Sequence, residues 1–219
     1  MTLLTMIVKM GEGLSKTCAI FSLTLLFSLP LGMVVALLRM SKNWLVSNVT
    51  RFFISILRGT PLMLQLLAVT YGPYYLWDVP VARNKLIPVV IAFAINYAAY
   101  FAEIYRGGIE SMPVGQYEAA EVLGYTKAQT FIHIILPQAF RRMLPPLGNN
   151  AIAILKDSSL VSAIGLAELA YAARTVAGAT ARYWEPYITI SLMYWVMTLG
   201  LAYLVKKMEQ RLGKGDDNR

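Results

Sequence analysis

Gly115-Gln116-Tyr117-Glu118-Ala119-Ala120-Glu121-Val122-Leu123-Gly124-Tyr125-Thr126-Lys127-Ala128-Gln129-Thr130-Phe131-Ile132-His133-Ile134-Ile135-Leu136-Pro137 is a polar passage between two apolar runs, and its punctuation decides the fold. Ala119, Ala120 and Leu123 favour a first short helix. Gly124 is placed to end it, because a residue without a Cβ turns into the left-handed conformation at little cost. Thr126 then opens a second helix, with Gln129 three residues on to close a capping box. Pro137 has no N–H and biases Leu136 away from helical geometry, so it is expected to end the second arm. That arm carries Phe131, Ile134 and Ile135 with few charges, and so short a helix needs a partner to cover them.

The rest of the chain places this hairpin beside a membrane. Its 219 residues are 57% hydrophobic and 15% charged, with mean hydropathy +0.54, too apolar for an ordinary soluble domain. A net charge of +8 raises nucleic acid as a partner in a soluble protein. Here the cations sit at the ends of apolar runs, where they orient membrane spans, so no nucleic-acid role is expected. Cys18, the single cysteine, lies in an apolar run and is expected to pack there. The first apolar run is too long for a cleavable leader.

Taken in order, residues 1 to 13 form an amphipathic lead-in containing Lys9 and Glu12. Gly11 to Thr17 superficially follows a phosphate-binding loop but has Ser15, not glycine, before Lys16 and no preceding strand, so no ATP site is expected on this chain. Leu14 to Leu38 is the first span, with Pro30 expected to kink it and a Ser28–Gly32–Ala36 row of small residues suited to close helix contact. Phe52 to Trp77 is the second, interrupted at Arg58-Gly59-Thr60-Pro61, a break that must be shielded from lipid. Asp78 to Lys85 is a short loop. Leu86 to Tyr105 is the third span, with Asn96, Tyr100 and Glu103 on one face. After the hairpin come Arg141 and Arg142, with Pro145-Pro146 expected to end the passage. A fourth, short stretch, Ala151 to Leu166, is interrupted by Lys156-Asp157-Ser158-Ser159. Residues 167 to 185 are a mildly amphipathic excursion, and Pro186 to Val205 is the last span.

This is an all-α polytopic membrane protein in one domain, 1–219, with about five spans. On the hairpin side lie Arg39, Lys42, Arg51, Arg106, Lys127, Arg141, Arg142, Lys206, Lys207, Arg211, Lys214 and Arg219. The other side has Lys9, Lys16, Arg83, Lys85, Arg174 and Arg182. That excess puts hairpin and C-terminus in the cytoplasm and the N-terminus outside.

Glu118-Ala119-Ala120, Gly124, Ile134, Leu136 and Pro137 resemble, at full spacing (EAA-x3-G-x9-I-x-LP), the cytoplasmic EAA loop of bacterial ABC-importer permeases, here about residues 107–149. The resemblance extends over nearly the whole chain. Ser55 to Leu62, Asn96 to Ile109, Gly115-Gln116, Leu136 to Ala139 and Leu155 to Leu160 are similar to the polar amino-acid permeases of the histidine, glutamine, arginine and cystine importers. It implies a type I importer permease in the bacterial cytoplasmic membrane. The implied partners are a second permease subunit (identical or a paralogue), two ABC ATPase subunits that carry the ATP and magnesium, and an extracytoplasmic amino-acid binding protein. It implies that the second arm is the coupling helix seated in the ATPase, which makes Glu118, Ala119, Ala120, Gly124, Thr126, Gln129, Phe131, His133, Ile134, Leu136 and Pro137 the coupling residues.

A zwitterion crossing a membrane needs positive charge or amides near its carboxylate, and negative charge or carbonyls near its amine. Broken helices offer both. Arg58, Thr60, Pro61, Lys156, Asp157, Ser158 and Ser159 at the two breaks, with Asn96, Tyr100 and Glu103, can frame a midplane site. There Arg58 or backbone amides meet the carboxylate and Asp157 or Glu103 the amine. The alternative is that Arg58–Asp157 or Lys156–Glu103 ion pairs hold the bundle together. His133 reads as a contact residue, and Tyr71, Tyr74, Tyr75, Trp77, Tyr183 and Trp184 as an interface belt. One histidine and one cysteine supply neither a catalytic pair nor a metal cluster. A secondary transporter or channel for a small polar solute is the rival function, and it leaves the hairpin without a purpose.

Overall fold

The computed structural model describes residues 7–8 and 10–213; Lys9, Lys214 and Arg219 of the charge tally lie outside them. The helices are α1 (Leu14–Arg39), α2 (Trp44–Gly59), α3 (Leu62–Trp77), α4 (Leu86–Glu110), α5 (Val114–Val122), α6 (Lys127–Gln129), α7 (Leu136–Asp157), α8 (Leu169–Thr180) and α9 (Trp184–Gly213). A π turn, Thr130–Ile135, joins α6 to α7, and a 3-10 segment, Ser158–Ile164, follows α7. No strand occurs among the described residues.

The bundle is built around α4. It buries Phe93, Tyr97 and Phe101 together with a run of alanines, and α1, α2, α3 and α7 all pack on it. The small-residue row on α1 is buried, and a Cβ at Gly32 would stand 2.8 Å from the Phe101 Cβ. Gly32 thus lets two spans approach as closely as backbones can. Leu23 and Leu86 line one groove, Gly32 lies against Ala98 and Phe101, and Arg39 pairs with Glu103, so α1 and α4 run in the same direction. That is the expected relation of a first and third span.

Three helices, α1, α4 and α9, are long and apolar enough to cross a membrane alone. α2 and α3 are bent by 104° at their break and have the length and apolarity of a span only when taken together. The helix begins at Trp44, earlier than the expected Phe52, because Asn43 caps it by accepting from Leu45 and Val46 N–H. Trp44, Leu45, Val49, Phe52 and Ile56 make an exposed apolar stripe along α2.

The largest departures from the sequence reading follow the hairpin. Leu136, at φ −59° and ψ −43°, is helical, and α6, the π turn and α7 form one uninterrupted rod. Pro137 lies within that rod, in the first turn of α7, and without an N–H it leaves a carbonyl of the preceding turn short of one donor. The wide turn before it, closed by Leu136 N–H to the Phe131 carbonyl, makes room for the ring. Pro145 and Pro146 do not end the passage either; both lie inside α7. Phe131 and Ile134 pack against the chain's own core and Ile135 lies within it, so no outside partner is needed to cover them. Cys18 is exposed, not packed.

Opposite the hairpin, Glu168 caps α8. It is fully buried and accepts hydrogen bonds from Ala170 and Tyr171 N–H at 2.8 Å and from the Tyr194 hydroxyl at 3.1 Å. Thr17 of α1 accepts from Leu169 N–H, so Glu168 and Leu169 together tie the excursion to the last and first spans. Burial pushes the Glu168 carboxyl above its ordinary range, against the pull of those donors.

Candidate translocation site and coupling hairpin

The hairpin is as punctuated as its sequence. Gly124 adopts φ +78°. Gly124 N–H bonds to the Glu121 carbonyl at 2.9 Å and Tyr125 N–H to that of Ala120 at 3.0 Å, a complete Schellman pair. Thr126 and Gln129 form the reciprocal capping box. Ala120 is buried, Gln138 donates to the Gln116 side chain, and Arg142 donates to the Ser111 carbonyl, which anchors the first arm to the rod. What the hairpin leaves open is an apolar tip: Val122 and Leu123 are 87% and 72% exposed, with Tyr125 and Ile132 beside them. Glu118, Ala119 and His133 are also exposed, while Phe131, Ile134 and Ile135 hold the second arm down.

The proposed substrate residues separate into groups. At the α2–α3 break, Asn96 donates to the Leu57 carbonyl and to Gln65 Oε1, each at 3.0 Å. Gln65 in turn donates to the Leu57 and Thr60 carbonyls and to the Thr60 hydroxyl. These side chains satisfy the backbone groups that the break frees, so Asn96 and Thr60 are occupied in holding it. Pro61 starts α3 as its N-cap.

Below the break is a cleft of about 500 Å³ lined by Arg39, Arg51, Ser55, Arg58, Tyr100, Glu103 and Arg106, among others. Glu103 is paired at 2.6 Å with Arg106 and at 3.9 Å with Arg39. Arg58 lies 5.1 Å from the centre of the Tyr100 ring and has no ion pair among the described residues. Tyr100 neighbours Tyr97, ring centres 5.9 Å apart, and the Tyr97 hydroxyl donates to Asp157 at 2.6 Å. Neither expected ion pair, Arg58–Asp157 or Lys156–Glu103, forms: two tyrosines stand between the first pair, and Glu103 is taken by arginines on its own helix and on α1. Lys156 is exposed. Ser158 and Ser159 spend their hydroxyls on the Leu155 and Lys156 carbonyls, closing the end of α7.

Of the residues expected at the site, the structure brings Arg58, Tyr100 and Asp157 together, linked through Tyr97. Tyr97 lies about 16 Å along α4 from Leu86, near half of the roughly 30 Å hydrocarbon thickness. Tyr97 and Gln65 join this candidate cluster without being singled out by the sequence, although each is a polar group inside an apolar run. The sequence shows Arg39, Arg51 and Arg106 only as cations on one side of the membrane; nothing in their spacing shows that α1, α2 and α4 converge on one cleft.

A family described as binding-protein-dependent transport system inner membrane component matches residues 28–214. The chain belongs to this family. The arginine transport system permease protein ArtQ of Bacillus subtilis is 35% identical over 205 residues, covering 94% of this chain and 93% of that protein. The glutamine transport system permease protein GlnP of Escherichia coli K12 is 34% identical over 206 residues, covering 92% and 91%. The crystal structure of an amino acid ABC transporter with histidines superimposes with TM-score 0.88 at 37% identity, covering 96% of this chain and 99% of that one. These likenesses cover 92–96% of the chain, hairpin included, so the fold is that of a transport permease.

Proposed function

We propose that the chain is the membrane subunit of an ATP-driven amino-acid importer that works by alternating access. The observation that carries this is the continuous rod. The exposed apolar tip lies at the turn that opens it, with Ile132 on the rod itself, and α7 alone runs about 33 Å over its 22 residues to Asp157. A push on the second arm, at Ile132, therefore reaches Asp157 without an intervening loop. Separate ATPase subunits close on ATP and magnesium, carry the hairpins with them and rock two permease cores outward; hydrolysis returns them. An extracytoplasmic binding protein delivers the cargo, the hairpin faces the cytoplasm and the N-terminus lies outside, as the cation excess supports. This chain supplies no ATP site.

Within the site, Arg58 meets the cargo carboxylate and Asp157 its amine. Both have capacity to spare: Arg58 only rests on an aromatic face, and Asp157 receives one hydrogen bond from the described residues. Glu103, already held by two arginines, positions the cleft and does not take the amine. Reconstitution with ATPase and binding protein tests the reading. ATP-dependent amino-acid accumulation is expected, strongly reduced in Asp157→Asn with ATP hydrolysis retained. Accumulation driven by an ion gradient without the ATPase would overturn it in favour of a secondary transporter.

A further inference from the structure

Two features on the membrane face opposite the hairpin adjoin at Leu86. One is a groove of about 460 Å³ between α1 and α4, lined only by apolar residues, including Leu23, Phe27, Leu86, Ile91 and Ile95. The other is a cleft of about 450 Å³ lined by Lys16, Arg83, Asn84, Lys85 and Leu86, with the Gly165–Ala167 turn closing it. Lys16 and Arg83 are exposed and form no ion pair among the described residues. Glu12 shares the adjoining cleft with Lys16 without pairing to it. Lys85 gives one proton to the Ile164 carbonyl at 2.6 Å and keeps two more to donate.

We propose that this pair of cavities is a binding site for an anionic phospholipid of that leaflet. The phosphate sits among Lys16, Arg83 and Lys85, and one acyl chain lies in the α1–α4 groove. The depth agrees. Along α4 the groove runs from Leu86 to Ile95, about 13.5 Å, close to the roughly 15 Å of one leaflet's hydrocarbon. Its cationic mouth begins at the helix N-terminus, where a headgroup would lie. The charge selects the occupant. Cations without acidic partners, gathered beside an apolar slot, match a molecule carrying a phosphate on an acyl chain. A second copy of this chain lying across the groove on a two-fold axis would instead crowd like charges together. The apolar slot fits no soluble anion, and the cationic mouth gains least from a zwitterionic lipid.

The test is native mass spectrometry of the full chain released from vesicles of equal phosphatidylglycerol and phosphatidylethanolamine. Retention of phosphatidylglycerol is expected, falling about fivefold for each cation removed in Lys16→Gln and Arg83→Gln, with no change in the control Lys206→Gln/Lys207→Gln. Ile91→Trp fills the groove and should lower retention with the cations intact. Equal retention of both lipids, or phosphatidylglycerol unmoved by the two glutamines, would overturn the proposal. So would an efficient disulfide-linked dimer of Ile91→Cys in a Cys18→Ser background, which would give the groove to a second copy.

Discussion

The hairpin is most directly probed at Gly124. Its φ of +78° is a conformation that costs an L-residue roughly 1–2 kcal/mol, and more for a β-branched one. A Cβ built there meets nothing within 4 Å, so the penalty is wholly conformational within this chain. At about 2 kcal/mol, Gly124→Val shifts the hairpin equilibrium about 30-fold away from the Schellman geometry. Asparagine tolerates the left-handed region, so Gly124→Asn should stay near wild type and Gly124→Ala fall between. The assay is uptake and ATP hydrolysis measured together in proteoliposomes containing ATPase and binding protein. Uptake per ATP should fall in the order Gly, Asn, Ala, Val, with helix content unchanged. If Asn and Val uncouple equally, side-chain bulk at the ATPase contact is responsible, and the backbone argument is refuted.

Other perturbations separate the remaining parts. Gly32→Val places a side chain against Phe101 and should cost about 1–3 kcal/mol by overpacking, read as a lower Tm in detergent; an unchanged Tm would mean that α1 and α4 are not closely apposed. Tyr97→Phe removes the donor to Asp157 and should alter cargo affinity more than the ATP hydrolysis rate, whereas an unchanged affinity would separate Tyr97 from the site. Glu168 has its folded pKa raised above the ordinary value of 4.5, so its contribution to stability is complete below that value and is lost as pH rises through the folded pKa. The Tm of wild type minus that of Glu168→Gln should therefore increase on acidification from neutral pH towards 4.5, and a difference that does not change with pH would refute the raised pKa.

The hairpin and the spans were legible because their signals are local. A glycine that must reach positive φ, a threonine and glutamine three residues apart, and apolar runs of spanning length specify their own structure wherever they stand. Pro137, Pro145 and Pro146 misled because proline's effect depends on what surrounds it. A widened turn accommodates the first, and packing of α7 on α4 and α9 retains a helix that the other two weaken. The ion pairs were misassigned for a related reason: charge identity is visible in a sequence, but partner choice depends on which faces meet. Arg106 is one turn from Glu103 on α4 and competes successfully with any lysine on α7.

The sequence by itself determined the all-helical membrane class, the hairpin and the excess of cations on one side, since each follows from short-range chemistry and the length of a span. The tertiary structure alone decided that the second arm of the hairpin continues as a rod to Asp157, that Tyr97 and Tyr100 bridge Arg58 to that carboxylate, and that Lys16 and Arg83 crown an apolar groove. Those juxtapositions join residues dozens of positions apart, and only the packing of α1, α2 and α7 against α4 brings them within reach.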